Sequence, residues 1–310
     1  MTASGPVFPT LTPEDVCRLL REAGVVLASG QVSVEPREQR WLAHLPGDRV
    51  AWFPGSEEGA LRLANERATL KAIARRCTFR VPRFVHEGEG WDLREIVPGI
   101  VDPWPILARL KQDHGLAARI GDITAALLVE QHTRIKRDDL AATLPDTPEW
   151  PPPRDWVMER LPSVTDDAAL TARIAALFDE CAAIKVNPED RVLVHGDLGL
   201  HNRAYDPETL LPRGVFDYDG AAWADRHIDF RYTILDIDGE PLFEAARAGY
   251  EKALGLTLDR RRVFLHNALC AAGFLAFRQG VAPETNWCGR TLAGDLEWTT
   301  NALRRLESAV

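Results

Sequence analysis

Residues 193–230 constrain this chain more than any other stretch, because two apolar runs there each end on an acidic turn. Val192–Val194 leads into His195-Gly196-Asp197-Leu198-Gly199-Leu200-His201-Asn202, and Gly214–Phe216 leads into Asp217-Tyr218-Asp219. Breaks at Asp206-Pro207 and Pro212-Arg213-Gly214 separate them. Short apolar runs bounded by turn residues read as two strands paired in a hairpin. The pairing gathers His195, Asp197, Asn202, Asp217 and Asp219 at one end.

That set of groups suits phosphoryl transfer. The Asp197 carboxylate accepts a proton from an attacking hydroxyl. The amide oxygen of Asn202 and the carboxylate of Asp217 hold Mg²⁺ on the phosphates. Such sites work by positioning and charge neutralisation, so few side chains suffice and their spacing matters. His-x-Asp-x4-Asn is the spacing of the kinase catalytic loop, and Asp217 stands where the metal-binding Asp of the next turn stands.

On these residues, together with Val215-Phe216-Asp217-Tyr218 and Asp225-Arg226-His227-Ile228-Asp229-Phe230, the chain resembles the aminoglycoside phosphotransferase and choline kinase family. Gly196, where protein kinases carry Arg, points to this small-molecule branch. The resemblance is strong from 193 to 230 and weaker elsewhere. It implies an α+β, two-lobed protein-kinase-like fold. An antiparallel-sheet N-lobe would occupy 1–98 and a mostly helical C-lobe 99–310. The implied reaction moves the γ-phosphoryl of ATP or GTP, with Mg²⁺, to a hydroxyl of a small molecule (an antibiotic, an amino alcohol or a sugar-like compound). By resemblance, Asp197 is the base, His195 supports its loop, and Asp229 buttresses that loop through backbone hydrogen bonds. Asp219 and Asp225 are candidates for the acceptor side.

Upstream, the pattern reads as strands over Gln31–Glu35, Arg40–Leu45 and Arg49–Phe53, a helix over Glu57–Arg76, and strands over Val81–His86 and Gly90–Ile96. In the family the third strand carries a Lys or Arg that reaches the phosphates. Here that position is Trp52, or Phe53 with a slip of one residue. A neighbouring Arg (Arg37, Arg40 or Arg49) supplies the cation, or Mg²⁺ and backbone N–H groups suffice, or the chain is a nucleotide-binding pseudokinase. Arg40 is the favoured substitute. Glu66 matches the helix glutamate that pairs with the missing Lys, and Arg62 lies one turn earlier on the same side. Backbone groups at Arg94, Glu95 and Ile96 would bind the base, which leaves ATP and GTP indistinguishable in sequence.

Downstream, residues 100–135 read as helical, ending at Gln131-His132, where Gln131 departs from the family's Leu-x-x-Leu-His ending. If helical, Asp225 and Asp229 share a face. Further helices follow over Pro241–Leu254, Arg260–Arg278 and Arg290–Leu306. Glu284, Trp287, Asp295, Glu297 and Trp298 are acceptor-side candidates.

Composition narrows the partners. A net charge of −9 disfavours nucleic acid and welcomes cationic ligands. The 5 cysteines form no C-x-x-C pair, which argues against a zinc site or a disulfide framework and suits a reduced, cytoplasmic setting. No apolar run approaches the roughly 18 residues of a membrane span, and Met1–Pro6 lacks the basic start of a signal peptide. A metal-dependent hydrolase using Asp197, Asp217, Asp219 and His195 is the remaining alternative.

Overall fold

The computed structural model describes residues 10–140, 144–286 and 289–309. They form two compact units. One holds the described residues of 1–100, 138–143 and 204–219; the other holds those of 101–137, 144–203 and 220–310. The expected division after residue 98 lies close to the break at 100/101, but 138–143 and 204–219 belong with the first unit.

The first unit opens with α1 (Pro13–Glu22). The Thr12 hydroxyl accepts the Asp15 amide at 3.2 Å, and the Asp15 carboxylate accepts the Thr12 amide at 3.3 Å. This capping box, with Pro13 at the first helical position, starts the helix. Next come β1 (Ser33–Arg37), β2 (Arg40–Leu45), β3 (Arg49–Pro54), α2 (Glu57–Arg76), β4 (Arg83–Glu87) and β5 (Asp92–Glu95). The strands make an antiparallel sheet ordered β1-β2-β3-β5-β4.

Strand alternation gives this sheet two unlike faces. Ala43, Leu45, Ala51, Phe53 and Leu93 pack with Val16, Cys17 and Leu20 of α1 in one apolar cluster. Burying each of the larger side chains contributes about 1.5–3 kcal/mol. The residues between them, Arg40, Leu42, Trp52, Asp92 and Arg94, point to the opposite face. That parity is what brings charged groups together there.

The second unit holds α3 (Pro103–Leu110), α4 (His114–Arg134), α5 (Arg154–Arg160) and α6 (Ala168–Ala183). Strand β6 (Arg191–Val194) follows; the chain then forms β7 (Arg203–Tyr205) and β8 (Pro212–Val215), which apart from Arg203 belong to the first unit, and β9 (Ala222–Asp225) is again in the second. A 3₁₀ segment over Arg226–Thr233 leads to α7 (Pro241–Leu254), α8 (Arg260–Ala276) and α9 (Leu292–Ser308). Helix α8 is buried on nearly every side, as its Ala- and Leu-rich run demands. No described helix is long and apolar enough to cross a membrane.

The strand pairing corrects the hairpin expected from the sequence. Val192–Val194 does not pair with Gly214–Phe216. Instead β6 pairs antiparallel with β9, and β7 pairs with β8. The reason is local. The Asp206 carboxylate accepts the amides of Glu208 at 2.9 Å and Thr209 at 2.8 Å, closing a tight turn between β7 and β8. A short loop closed this way costs less entropy than the longer one the sequence reading required.

Candidate active site

In the second unit, β6 delivers the chain into His195, and Gly196 then turns it with φ +82°. A Cβ at 196 would stand 2.4 Å from the Gly220 carbonyl oxygen, so only glycine fits. Asp229 holds the loop. Its Oδ2 accepts the His195 amide at 2.9 Å and its Oδ1 the Gly196 amide at 3.0 Å. Gln131 Nε2 at 3.0 Å and His132 Nε2 at 3.2 Å complete its shell. Burial pushes the Asp229 carboxyl up, but the hydrogen bonds from His132 and from the His195 amide hold it below its ordinary value. It is therefore a fixed anion that ties down two consecutive loop amides.

Gln131 also donates to the Leu193 carbonyl at 2.9 Å, bridging β6 to Asp229. The residue that departs from the family ending thus has a buttressing role. His132 Nδ1 lies 2.8 Å from the Tyr250 hydroxyl. Since Nε2 donates to a carboxylate, Nδ1 accepts there, and burial pushes this imidazole below its ordinary range. Arg231 went unnoticed in the sequence. Its guanidinium donates to the carbonyls of Gly196 and of Trp150, the latter at 2.9 Å. Its place directly after Asp229-Phe230 was the available signal.

Asp197 and Asn202 meet at the end of this loop. Asn202 Nδ2 donates to the Asp197 backbone oxygen at 2.8 Å and to Oδ2 at 2.9 Å. Both amide hydrogens are therefore spent on Asp197, and Asn202 Oδ1 is left as an acceptor. The Asp197 amide donates to His195 Nδ1 at 3.2 Å, which ties the buried His195 ring into the loop. The surrounding protein pushes the Asp197 carboxyl up, but His201, Arg231 and His195 together hold it below its ordinary value. It is ionised at neutral pH.

In the first unit, Arg40 lies 4.6 Å over the centroid of the Trp52 ring. Its Nη1 is 3.4 Å from Glu66 Oε2, and its Nη2 is 2.6 Å from Asp219 Oδ2. Arg94 reaches the same Glu66 oxygen at 3.0 Å and Asp92 Oδ2 at 2.9 Å. Arg62 Nη1 donates to Asp219 Oδ2 at 3.0 Å. A guanidinium from β2 thus makes the contact to the α2 glutamate that a kinase makes from its strand lysine. Arg37 and Arg49 do not join it: Arg37 faces Glu35 at 3.9 Å, and Arg49 donates to the Pro46 carbonyl at 3.0 Å.

The remaining predicted residues fall as follows. Asp217 sits in the turn after β8 with φ +67°, a left-handed backbone that Asp tolerates better than most residues. Asp219 bridges Arg40 and Arg62. The Arg94 side chain is buried, Glu95 pairs with Arg83 on the surface, and the Ile96 amide donates to the Asp48 carbonyl at 2.9 Å. Asp225 ends β9 and is only 5% exposed; its carboxylate faces His227 at 2.6 Å, Arg262 at 2.5 Å and His266 at 3.2 Å. It caps a 3₁₀ turn rather than sharing a helix face with Asp229, and the structure buries it in the core. Glu284 is exposed, and Trp287 lies outside the described residues. Asp295 is fully buried between Arg278 and Arg290, each at 2.5 Å.

Mg²⁺ commonly takes one or two protein oxygens and fills its shell with phosphates and water. The oriented Asn202 Oδ1 and the Asp217 carboxylate are donors of that kind. Among the described residues, no group of three or more His, Cys, Asp or Glu is arranged to hold a metal ion.

The antiparallel five-stranded sheet, the helical second unit and the Asp229-buttressed loop define a protein-kinase-like phosphotransferase. The model of the phosphotransferase enzyme family (APH) matches residues 26–264, and the chain belongs to that family. It is 29% identical over 202 residues to an aminoglycoside 3'-phosphotransferase of Streptomyces fradiae, across 62% of this chain and 72% of that protein. Its fold matches the GDP and kanamycin complex of an APH(2'') enzyme with TM-score 0.64 and 18% identity, over 96% of this chain and 97% of that one. It also matches the apoenzyme of macrolide 2'-phosphotransferase MphH from Brachybacterium faecium, with TM-score 0.60 and 18% identity, over 94% and 98%. The chain is a phosphotransferase with an alcohol group as acceptor.

Proposed function

We propose that this chain transfers the γ-phosphoryl of Mg²⁺-bound ATP or GTP to a hydroxyl of an aminoglycoside-like antibiotic. The observation that carries the reading is the loop around Asp197: an ionised carboxylate whose Oδ2 is held by Asn202, on a backbone tied to Asp229. Asp197 Oδ1 accepts the hydrogen bond of the acceptor hydroxyl, orients it, and takes up its proton as the new O–P bond forms and the bond from the γ-phosphorus to the β,γ-bridging oxygen breaks, releasing the nucleoside diphosphate. Arg40, fixed by Glu66 and by the face of Trp52, neutralises phosphate charge. Asn202 and Asp217 are the proposed ligands of Mg²⁺, which when bound neutralises the phosphate oxygens. The net charge of −9 and the aminoglycoside 3'-phosphotransferase relative support a cationic amino-sugar acceptor.

The test is phosphoryl transfer from Mg·ATP and Mg·GTP to kanamycin, streptomycin and gentamicin, with product detected by mass. Wild type is expected to phosphorylate at least one, and Asp197→Asn to lose about 10²–10⁴-fold in kcat. Trp52 at the strand-cation position favours a second reading, nucleotide binding without turnover. Tight Mg·nucleotide binding with no product from any acceptor would support that one.

A further inference from the structure

His201 touches Asp197 in a way that the His-x-Asp-x4-Asn spacing does not require. Its Nε2 lies 2.9 Å from Asp197 Oδ2, the same oxygen that Asn202 Nδ2 reaches at 2.9 Å. A carboxylate only accepts, so Nε2 carries the proton and donates. Nothing among the described residues donates to Oδ1. Two donors therefore converge on one oxygen of the carboxylate and leave its partner open.

The ring is seated, not merely near. A Cβ on Gly199 would stand 2.4 Å from His201 Cε1 and 2.5 Å from Nδ1, so the glycine at 199 makes the space the imidazole occupies. Tyr232, from the Arg226–Thr233 segment, meets the ring edge-to-face with centroids 6.0 Å apart. Gly199, Asp197 and Tyr232 thus fix its plane. Yet His201 is 45% exposed at its side chain and Asp197 40%, so this is not a core histidine satisfied by burial.

We propose that His201 is a positioning residue for phosphoryl transfer. By holding Oδ2 together with Asn202, it presents Oδ1 of Asp197 to the acceptor hydroxyl in one orientation. Without it the carboxylate keeps one anchor and rotates about its Cβ–Cγ bond, so the productive rotamer is diluted. The inference rests on the proposed role of Asp197 as the hydroxyl-orienting group.

Two readouts test it. The first is ¹⁵N-imidazole NMR of the full chain, which needs no acceptor. His201 is expected to show a locked Nε2–H tautomer in wild type and a tautomer mixture in Asp197→Ala. The second is steady-state transfer from Mg·ATP and Mg·GTP to kanamycin. His201→Ala is expected to lower kcat about tenfold, the worth of one hydrogen bond to a charged group. Its KM for nucleotide should be unchanged, and His201→Gln, which keeps an N–H donor of similar reach, should recover most of the loss. An unlocked tautomer in wild type, wild-type kcat in His201→Ala, or His201→Gln as slow as His201→Ala would each overturn the proposal. Full turnover by Asp197→Ala would instead sink the role of Asp197 itself, and the NMR result would show that failure to be separate.

Discussion

The guanidinium of Arg40 rests on the indole of Trp52, 4.6 Å from the ring centroid, while its Nη1 reaches Glu66. Leu42 pairs with Trp52 across the β2–β3 ladder, so Arg40 is the diagonal neighbour on the same face. Diagonal cross-strand residues lie within reach of long side chains. The β3 position that carries no cation is therefore covered by a guanidinium from β2, stacked on an aromatic face.

Removing Arg40 should cost both stability and nucleotide affinity. Arg40 and Glu66 are each about 3% exposed at the side chain, Arg94 still pairs with Glu66 when Arg40 is gone, and a lost hydrogen bond to a charged group costs about 1.5–3 kcal/mol. Arg40→Ala is expected to lower the denaturation midpoint and to weaken ATP and GTP binding at least tenfold by calorimetry. The double variant Arg40→Ala/Trp52→Lys, which returns a cation to the third strand, should regain part of the binding. No recovery would argue that Arg40 matters to the fold alone.

Asp217 offers a cleaner separation of binding from folding. Its backbone φ of +67° suits Asn as well as Asp. Asp217→Asn should keep the melting temperature of wild type and lose the Mg²⁺-dependent increment in nucleotide affinity. Calorimetry with and without Mg²⁺ measures that increment directly. An undiminished increment would remove Asp217 as a metal ligand.

Asp229→Ala strips four donors of their acceptor at once: two loop amides, Gln131 and His132. Buried donors left unpaired cost about 1–3 kcal/mol each before relaxation. Denaturant titration should show one of the larger losses in the chain. In any fraction that stays folded, kcat should fall more than nucleotide KM, because the loop and not the sheet is loosened.

Acid should destabilise the fold in the histidine range. Burial pushes His132 and His266 below their ordinary pKa more strongly than Asp229 and Asp225 raise them. The unfolded chain then binds protons that the folded chain refuses. Stability should therefore be full above about 6.5, the ordinary histidine value, and should decline as pH falls below it. Thermal melts across that window measure the slope. His266→Asn should flatten it, and a wild-type melting temperature that rises on acidification would contradict the burial argument.

The elements themselves were legible wherever the local pattern was strong. Helix α2 spans Glu57–Arg76 and α7 spans Pro241–Leu254, the ranges read from the sequence. Strand β2 likewise spans Arg40–Leu45. The side-chain types of the loop after β6 were also legible, because His195, Asp197 and Asn202 lie within a short stretch of chain whose spacing is itself the constraint. Partners distant in sequence were not. Asp225 read as an acceptor-side candidate on a helix face shared with Asp229; only packing against His227, His266 and Arg262 shows it to be core. Gln131 read as a lapse from a pattern, whereas it bridges Leu193 and Asp229.

The sequence by itself determined which chemistry is present: a carboxylate, an amide and a second carboxylate at kinase-like spacing, between strands and helices whose periods are written in the chain. Only the tertiary structure decided that Arg40 and Arg94 both meet Glu66, which strand pairs with β6, and which histidine holds Asp197. Spacing is a local property, set by bonds along the backbone. Those three choices are made between residues far apart in sequence, or by the room a missing Cβ leaves, and they exist only once the faces of the sheet and the loop have been packed.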